Sequence, residues 1–273
     1  MERAIFSEAD LHIHSNASDG QLNHEEIVMR ASELGLAVIA VTDHETIEES
    51  TRAYHFAKEH PELGVEAIIG LEHPTDKGHL IILFKNPQQA LSSKNLPRRL
   101  TSAICQAREY EALVIIPHPG LKFVGIDPFL PAVGQAHGIE TLNGFSHAFG
   151  PLRGLVIADP FIVEQIRKGH GLAAIGSSDT HNLDIGSART RFRGQGAEGL
   201  ALAIKQKATS AYLNIDSLPT FSDYLRLAVT NWRKFGARRF LGSLANHPFI
   251  FDVAKTEAFQ SSDEAKRKHT FEP

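Results

Sequence analysis

Residues 9–44, ADLHIHSNASDGQLNHEEIVMRASELGLAVIAVTDH, decide the fold of this chain. An apolar run comes first, a segment with helical spacing of its apolar residues follows, and a second apolar run rich in β-branched residues ends the stretch. Asn23 is a favourable N-cap residue, Glu26 stands three positions later, and Gly35 follows the last turn of the predicted helix. The stretch therefore predicts a β–α–β unit, in which a helix connects two parallel strands.

The same alternation of strand and helix continues to about residue 195. Apolar runs predict seven strands, within residues 9–14, 36–44, 64–73, 79–84, 112–120, 138–144 and 171–181. Helical segments separate most of them, which is typical of an α/β protein with a parallel sheet. Residues 197–208 and 221–244 predict further helices, the latter amphipathic with a basic face.

Length and charge limit the number of domains and the class of partner. The 273 residues suffice for one large domain at 1–210, followed by a helical C-terminal extension at 211–273 that is not an independent domain. The acidic residues outnumber the basic ones, 32 to 28, which argues against a long nucleic acid as partner. The extension could cap the domain or pair subunits in a homo-oligomer.

Cysteine content and hydropathy indicate the compartment. Cys105 is the only cysteine, which excludes an intramolecular disulfide and a cysteine-built zinc site. The first ten residues lack the basic-then-apolar pattern of a secretory signal, and no apolar run reaches the ~18 residues that cross a bilayer. We therefore expect a cytoplasmic protein without a membrane partner.

The side chains that bind metals best occur at the carboxyl ends of the predicted strands. Nine of them form the candidate metal-ligand set: His12, His14, Asp19, His44, Glu72, His79, His118, Asp179 and His181. His79 begins its strand, but this exception disappears if the strand runs antiparallel to the one before it. Active sites of α/β barrels form at the carboxyl end of the strands, so we expect the set to converge there.

The composition of this set indicates its chemistry. Six imidazoles and three carboxylates, without a thiolate, suit zinc, manganese or iron(II). Nine donors exceed the needs of one tetrahedral ion, so two or three divalent ions are expected. Closely spaced ions hold a hydroxide at neutral pH and neutralise the attacking and leaving oxygens of a phosphate ester.

Several segments resemble the PHP (polymerase and histidinol phosphatase) superfamily of metal-dependent phosphoesterases. They are DLHIHSNASDG, VTDHET, IPHPG and GSSDTH, with GLEHPTDKGHLIILF as the segment that supplies a glutamate and a further histidine. The resemblance covers about residues 9–195 and implies a distorted (β/α)7 barrel with a trinuclear metal centre. It implies three ions, held by His12, His14, Glu72 and Asp179, by Asp19, His44 and His181, and by His79 and His118, with Glu72 bridging.

Two features depart from the family pattern. Members resembling nucleoside bisphosphate phosphatases carry a sizeable insertion before the HPG motif, whereas residues 85–111 suffice here for one helix, so a lid domain is missing. His73 occupies a position that is usually apolar in the family. Substrate binding must then come from elsewhere, and Lys122, Arg189 and Arg191 are the cations expected to bind a phosphate.

Four further polar residues lie on the predicted strands. Asp10 and Asp43 should point to the opposite side of their strands, and we expect each to orient a histidine from outside the set. Asn143 is expected to orient a ligand or the substrate. Glu140 is expected to face the surroundings of the sheet.

Three functions are compatible with these patterns. The first is hydrolysis of a small phosphate ester, such as a nucleotide or sugar phosphate, with His44 or His181 supplying the proton to the leaving oxygen if that ring is not fully committed to metal. The second is an exonuclease or oligonucleotide-processing module, which the basic segment 231–242 favours and the acidic balance opposes. The third is a non-catalytic interaction protein stabilised by metal, which the presence of all nine ligands makes the weakest.

Overall fold

The structure, a computed structural model, describes residues 5–121, 124–149, 159–182, 184–214 and 217–218. Within these ranges the strands are β1 (Phe6–Ile13), β2 (Val38–Val41), β3 (Glu66–Thr75), β4 (Gly78–Phe84), β5 (Leu113–Ile116), β6 (Gly138–Asn143), β7 (Ala173–Ser177), β8 (Ala188–Arg193) and β9 (Thr209–Leu213). The α-helices are α1 (His24–Glu33), α2 (Glu48–Glu59), α3 (Pro87–Ala90), α4 (Leu100–Glu109), α5 (Gly144–Phe149), α6 (Pro160–His170) and α7 (Gly196–Gln206). Short 3-10 helices cover Pro61–Leu63, Leu91–Asn95 and Pro131–Gln135.

The strands form one sheet in the order β7-β6-β5-β4-β3-β2-β1-β8-β9. The strands β1 to β3 run parallel, as do β5 to β7, whereas β4 is antiparallel to both of its neighbours. The sheet curls until the segment after β7 meets β1, where Asp179 N–H donates to His12 O and His14 N–H donates to Thr180 O, both at 2.9 Å. The predicted distorted α/β barrel is therefore confirmed, as is the antiparallel direction of the strand that carries His79.

Two strands, β8 and β9, extend the sheet beyond the seven predicted ones. The strand β8 runs antiparallel to β1, and β9 runs antiparallel to β8. Hydroxyl groups tie both strands to β7, because Thr190 Oγ1 donates to Gly176 O at 2.9 Å and Thr209 Oγ1 donates to Ala174 O at 2.7 Å. Their sequences, ARTRFR and TSAYL, carry little local strand signal, since pairing with distant strands stabilises them.

The inside of the barrel is apolar toward the amino-terminal ends of the parallel strands. Side chains from six strands are buried there, among them Leu11, Val38, Ile81, Ile115, Ile175 and Phe192. The helix α7 adds Leu200 and Ile204 to the same cluster and so closes this end. Outside the sheet, α1 and α2 pack on β2 and β3, and α4 packs on β5. The polar residues of the interior are left at the opposite, carboxyl end.

A shift of register in β1 determines the direction in which the side chains of His12 and His14 point. The pairing of β1 with β2 changes between Asp10 and Ile13. Within this interval Leu11 points into the apolar interior and His12 points inward as well, although the two residues are adjacent. A bulge of this kind adds one residue to a strand and redirects the side chains that follow it. His12 and His14 therefore point the same way, as predicted.

The helices near the motifs begin where the sequence predicts. In α1, the Asn23 side chain accepts the N–H of Glu26 at 3.0 Å, and the Glu26 carboxylate accepts the N–H of Asn23 at 2.9 Å. This reciprocal pair is a capping box. Residues 85–111 contain only α3, a 3-10 helix and α4 besides connecting segments. Between β4 and β5 the structure thus has short helices and connecting segments.

The predicted C-terminal extension falls largely outside the described residues. The strand β9 ends at Leu213, three residues past the predicted boundary, and of the rest only residues 214 and 217–218 are described. None of the helices in the described ranges combines the length and the apolar character needed to cross a membrane.

His137, in the segment before β6, is expected to make stability depend on pH. Its Nδ1 accepts the N–H of Val114 at 3.0 Å, which requires the neutral ring. Burial, with smaller effects of Arg108 and Lys205, lowers the pKa of His137 from 6.5 to about 4. The unfolded chain therefore binds a proton more readily between these two values, and the free energy of unfolding falls as the pH falls through this window.

Denaturant titrations near neutral pH and near pH ~4.5 would measure this loss. In the variant His137→Asn, an amide oxygen that does not titrate can accept the same N–H. We expect the variant to lose about 1 kcal/mol less than the wild type over this interval, a value reduced for solvent screening of a partly exposed ring. Equal losses in the two proteins would contradict the assignment.

Candidate metal centre

All nine residues of the candidate metal-ligand set lie together at the carboxyl end of the barrel. Their donor atoms form four overlapping groups, and the atoms of each group lie within 4.8 Å of one another. The groups are His14, Asp19, His44 and His181; His12, Glu72 and His118; His12, His14 and Asp179; and His44, Glu72 and His79. Four residues belong to two groups each, so the set forms one continuous cluster.

The ends of the strands bring these side chains together. His12 and His14 come from the end of β1, and further members follow β2, β5 and β7. Glu72 lies near the end of β3, and the antiparallel β4 starts at the same edge, which places His79 beside it. The carboxyl ends of parallel strands share one edge of a barrel, so residues far apart in sequence become neighbours.

Glu72 occupies the centre of the cluster. Its two carboxylate oxygens lie 2.8 to 3.6 Å from imidazole nitrogens of five residues, namely His79, His118, His44, His14 and His12. The Oε1 atom faces His79 and His118, whereas Oε2 faces His44 and His14. The two oxygens therefore serve two sides of the cluster, which is the arrangement a bridging carboxylate needs.

A second tight contact joins His12, His14 and Asp179. The Nε2 atoms of the two histidines lie 3.1 Å apart, and Asp179 Oδ1 lies 3.2 and 3.3 Å from them. The Nδ1 atom of buried His118 has no hydrogen-bond partner within the described ranges, although buried polar atoms usually have one. Nitrogen and carboxylate donors that converge so closely fit a divalent cation such as zinc, manganese or iron(II).

The cluster has a buried floor and an open side. The His12 side chain is fully buried and that of Glu72 is 1% exposed. The side chains of His44, His79 and Asp19 are 31, 18 and 14% exposed. Among the described residues of the cluster, solvent therefore reaches His44 and His79 most easily.

Two members of the cluster have unusual backbone conformations. His118 has a φ of 29° and Asp179 a φ of 55°, both in the left-handed region that side chains other than glycine rarely adopt. His118 N–H donates to Glu140 Oε2 at 2.7 Å, and Asp179 N–H donates to His12 O at 2.9 Å. Local backbone strain of this kind occurs preferentially at functional sites.

Charges within the cluster influence one another strongly. Burial alone would lower the pKa of His12, but the carboxylate of Asp179 and two others outweigh burial and hold that pKa well above its usual value. Burial, with a smaller effect of His181, lowers the pKa of His14 to about 3. Protons on some imidazoles thus balance the buried carboxylates. Metal ions would take over this role, because ligation requires deprotonated imidazoles.

Comparisons with known proteins agree with this geometry. The family description "PHP domain" matches residues 10–113, which include six of the nine cluster residues. An uncharacterized protein of Methanocaldococcus jannaschii is 30% identical over 156 residues, which are 50% of this chain and 82% of that protein. The chain belongs to the PHP family.

A solved structure and a second relative complete the comparison. A two-domain protein of Bacteroides vulgatus, described as containing a predicted PHP-like metal-dependent phosphoesterase, shares the fold of this PHP protein with a TM-score of 0.60. The match is 22% identical and covers 77% of this chain and 65% of that one. A 5'-3' exoribonuclease of Haemophilus influenzae is 46% identical over 67 residues, which are 24% of this chain and 23% of the exoribonuclease.

Glu140 contacts the cluster, so the expectation that it faces the surroundings of the sheet is wrong. Its Oε1 lies 3.0 Å from His12 Nδ1, and its Oε2 accepts the N–H of His118 and, at 2.8 Å, an N–H of the Asn143 amide. The side chain of Asn143 also donates to Asp179 Oδ2 at 3.1 Å, so Asn143 contacts a candidate ligand as expected. A glutamate within the otherwise apolar start of β6 is the sequence signal that could have identified this role.

The variant Glu140→Gln is expected to bind metal about 10 to 100 times more weakly than the wild type, because a carboxylate that accepts a hydrogen bond from the N–H of a ligating histidine fixes the ring and its lone pair. Glutamine keeps the size of the side chain and can still accept the N–H of His118. Calorimetric titration of metal into chelator-treated protein measures the change. Thr141→Ala is the control, since the Thr141 hydroxyl contacts Ile175 O instead of the cluster. Equal affinities of Glu140→Gln and wild type would contradict the assignment.

Asp10 and Asp43 accept hydrogen bonds from the backbone of loops beside the cluster. The expectation that each orients a histidine ring is therefore wrong. Asp10 accepts the backbone N–H groups of Ser178 and Gly186 at 3.0 and 2.8 Å. Asp43 accepts the backbone N–H of Ser15 at 2.7 Å. Both carboxylates therefore hold the segments that follow β1 and β7, from which several candidate ligands project.

The predicted phosphate-binding cations do not join the cluster in the described structure. Lys122 lies outside the described residues. Arg189 and Arg191 point to the outer face of β8 and pair with the Glu8 carboxylate at 3.0 and 2.9 Å. Phe192, which alternates with them, points inward. The structure thus gives the two arginines a role in the packing of β8 against β1, on the outer face of the sheet and away from the cluster.

Proposed function

We propose that this PHP protein is a metal-dependent phosphoesterase that hydrolyses a small phosphate ester at the nine-residue cluster. The observation that carries the proposal is the convergence of six imidazoles and three carboxylates in four overlapping donor groups. The same groups support two or three divalent ions, with manganese, zinc and iron as the metals that suit these donors. A cytoplasmic location is part of the same proposal.

The residues of the chain have separate tasks in such a reaction. When bound, the ions would supply an ionised water as nucleophile and neutralise the charge that develops on the phosphoryl oxygens. Glu140 keeps the His12 ring oriented. Of the two histidines expected to act as proton donors, His44 is 31% exposed on the open side, whereas His181 is 3% exposed. We therefore assign delivery of the proton to the leaving oxygen to His44, with the ring binding at most one ion so that its second nitrogen carries the proton.

Metal analysis combined with a phosphatase screen tests the proposal. Purified protein should contain divalent metal and hydrolyse at least one member of a panel of nucleotides and sugar phosphates. A strong chelator should abolish turnover, and manganese or zinc should restore it. His12→Ala and Asp179→Ala should lose both metal and activity. The control is His24→Ala, which should keep both, because His24 lies on α1 and contacts Glu49.

Two results would contradict the proposal. Undiminished turnover by the metal-free protein would exclude a metal-dependent mechanism. A fully metallated protein that hydrolyses nothing in the panel would favour the non-catalytic alternative, in which metal only stabilises the barrel.

The partial match to the Haemophilus influenzae exoribonuclease favours a second candidate, hydrolysis of oligonucleotides. The dependence on salt distinguishes the two substrates, because every phosphate contacted by a basic side chain adds to the salt sensitivity of binding. A loss of oligonucleotide affinity by several decades between low and moderate salt would support the second candidate. Salt-insensitive turnover of mononucleotides would support the first.

A further inference from the structure

We propose that Arg98 binds a second negatively charged group of the substrate, outside the scissile phosphate ester, and that buried His73 holds the loop that carries Arg98. This inference rests on the proposed phosphoesterase function and specifies its substrate class. The substrates would be phosphate esters that also carry a carboxylate or a second phosphate.

His73 has a task outside the donor groups. It directly follows Glu72 on β3, so its side chain points to the opposite face of the strand. The residue is 6% exposed, and its Nε2 lies 2.9 Å from Pro97 O. A carbonyl oxygen can only accept, so Nε2 carries the proton. The structure therefore uses a buried imidazole to fix the residue before Arg98.

Two further hydrogen bonds fix the same loop. The N–H of Asp76 donates to Arg98 O at 2.7 Å, and the Asp76 carboxylate accepts the N–H of Leu100 at 2.9 Å. Both Asp76 and His73 belong to the β3–β4 hairpin region that carries two cluster residues. The backbone of Arg98 is thus anchored to the strands of the site, while its side chain is 61% exposed.

The guanidinium of Arg98 lies at the rim of the open side. It pairs with the carboxylate of Glu45. Glu45 follows the cluster residue His44, donates its N–H to Glu72 O at 3.1 Å, and adopts a left-handed φ of 57°. The ion pair therefore stands beside His44, which at 31% has the most exposed side chain of the nine candidate ligands.

The side chain of Arg98 is far more exposed than the cluster floor, so the two would contact different parts of a substrate. The cluster floor is buried, whereas the side chains of Arg98 and Glu45 are 61 and 55% exposed. A scissile phosphate bound on the floor leaves Arg98 to meet a group farther out on the substrate. Exposed ion pairs contribute little to stability, so an anionic group can replace Glu45 at small cost. Carboxylates and phosphates match the paired N–H donors of a guanidinium.

Binding of two phosphonates tests this inference without turnover. Calorimetry on the metal-loaded full chain would compare phenylphosphonate with 4-carboxyphenylphosphonate, which adds a single carboxylate. The wild type should bind the carboxylated compound about tenfold more tightly, and Arg98→Ala should lose this preference while binding phenylphosphonate as before. Arg99→Ala, at the adjacent exposed position, should keep the preference.

A pair of variants tests the positioning role of His73. His73→Leu removes the donor to Pro97 O and should weaken the preference, and His73→Gln, whose amide N–H can donate again, should recover it. The inference is overturned if the wild type binds neither phosphonate or binds both equally, or if Arg98→Ala keeps the preference. Failure of the proposed function is distinguishable, because the preference would then appear in binding while no phosphate ester is hydrolysed.

Discussion

Glu72→Gln is expected to reduce kcat for phosphoester hydrolysis by at least about a thousandfold, since the metal-dependent stabilisation of several kcal/mol relies on this carboxylate. The side chain is 1% exposed, and its oxygens approach five imidazoles. Glutamine has the same size but no charge, and its amide N–H group would point into the donor atoms. Two of the four donor groups would lose their carboxylate at once.

A matched control separates this effect from loss of a buried glutamate in general. Glu49 is 4% exposed and accepts hydrogen bonds from His24 and Arg52, away from the cluster. Glu49→Gln should lower stability but leave kcat near the wild-type value. Both variants are assayed at saturating manganese with their metal content measured. A kcat for Glu72→Gln within about tenfold of the wild type would contradict the central place of this residue.

Removal of metal is expected to lower the melting temperature of the protein by about 10 °C. Metal held at about a thousand times its Kd stabilises the folded state by about 4 kcal/mol. For a domain of this size, each kcal/mol shifts the melting temperature by about 2 to 4 °C. The physical cause is the cluster itself, in which nine imidazoles and carboxylates must otherwise share protons in a buried site.

Scanning calorimetry before and after chelation measures this shift, and added manganese or zinc should reverse it. The double variant His12→Ala, Asp179→Ala is the control, because two of the four donor groups lose at least one member and chelation should then change the melting temperature much less. An unchanged melting temperature in wild-type protein from which metal analysis shows the metal to be gone would contradict the prediction.

The candidate ligands could be found from sequence because their signal is local. Each of the nine stands at or just after an apolar run, apart from His79, and the direction of β4 explains that exception. Glu140 could not be assigned in this way. Whether it faces inward depends on the pairing of β6 with β7, whose register shifts between Glu140 and Leu142. Such a shift reverses the face of a side chain without a local sequence signal.

The arginines of β8 show the same limit. Arg191 pairs with Glu8, which is 183 residues away, and only this long-range strand pairing reveals that ARTRFR is a strand with its arginines outside. Arg98 had no signal as a candidate either. Its position at the rim follows from the contacts of Arg98 with Asp76 and Glu45 and from the contact of the preceding Pro97 with His73, and these three partners are distant in the sequence.

The amino-acid sequence by itself determined the alternation of strands and helices, the capping of α1, and the chemical types and order of the nine donors, because these depend on spacing and side-chain chemistry within a few residues. The tertiary structure alone decided which oxygen of Glu72 faces which histidine, that Glu140 orients His12, and which arginine stands at the rim. These relations depend on barrel closure and strand register, which set distances between residues far apart in the chain.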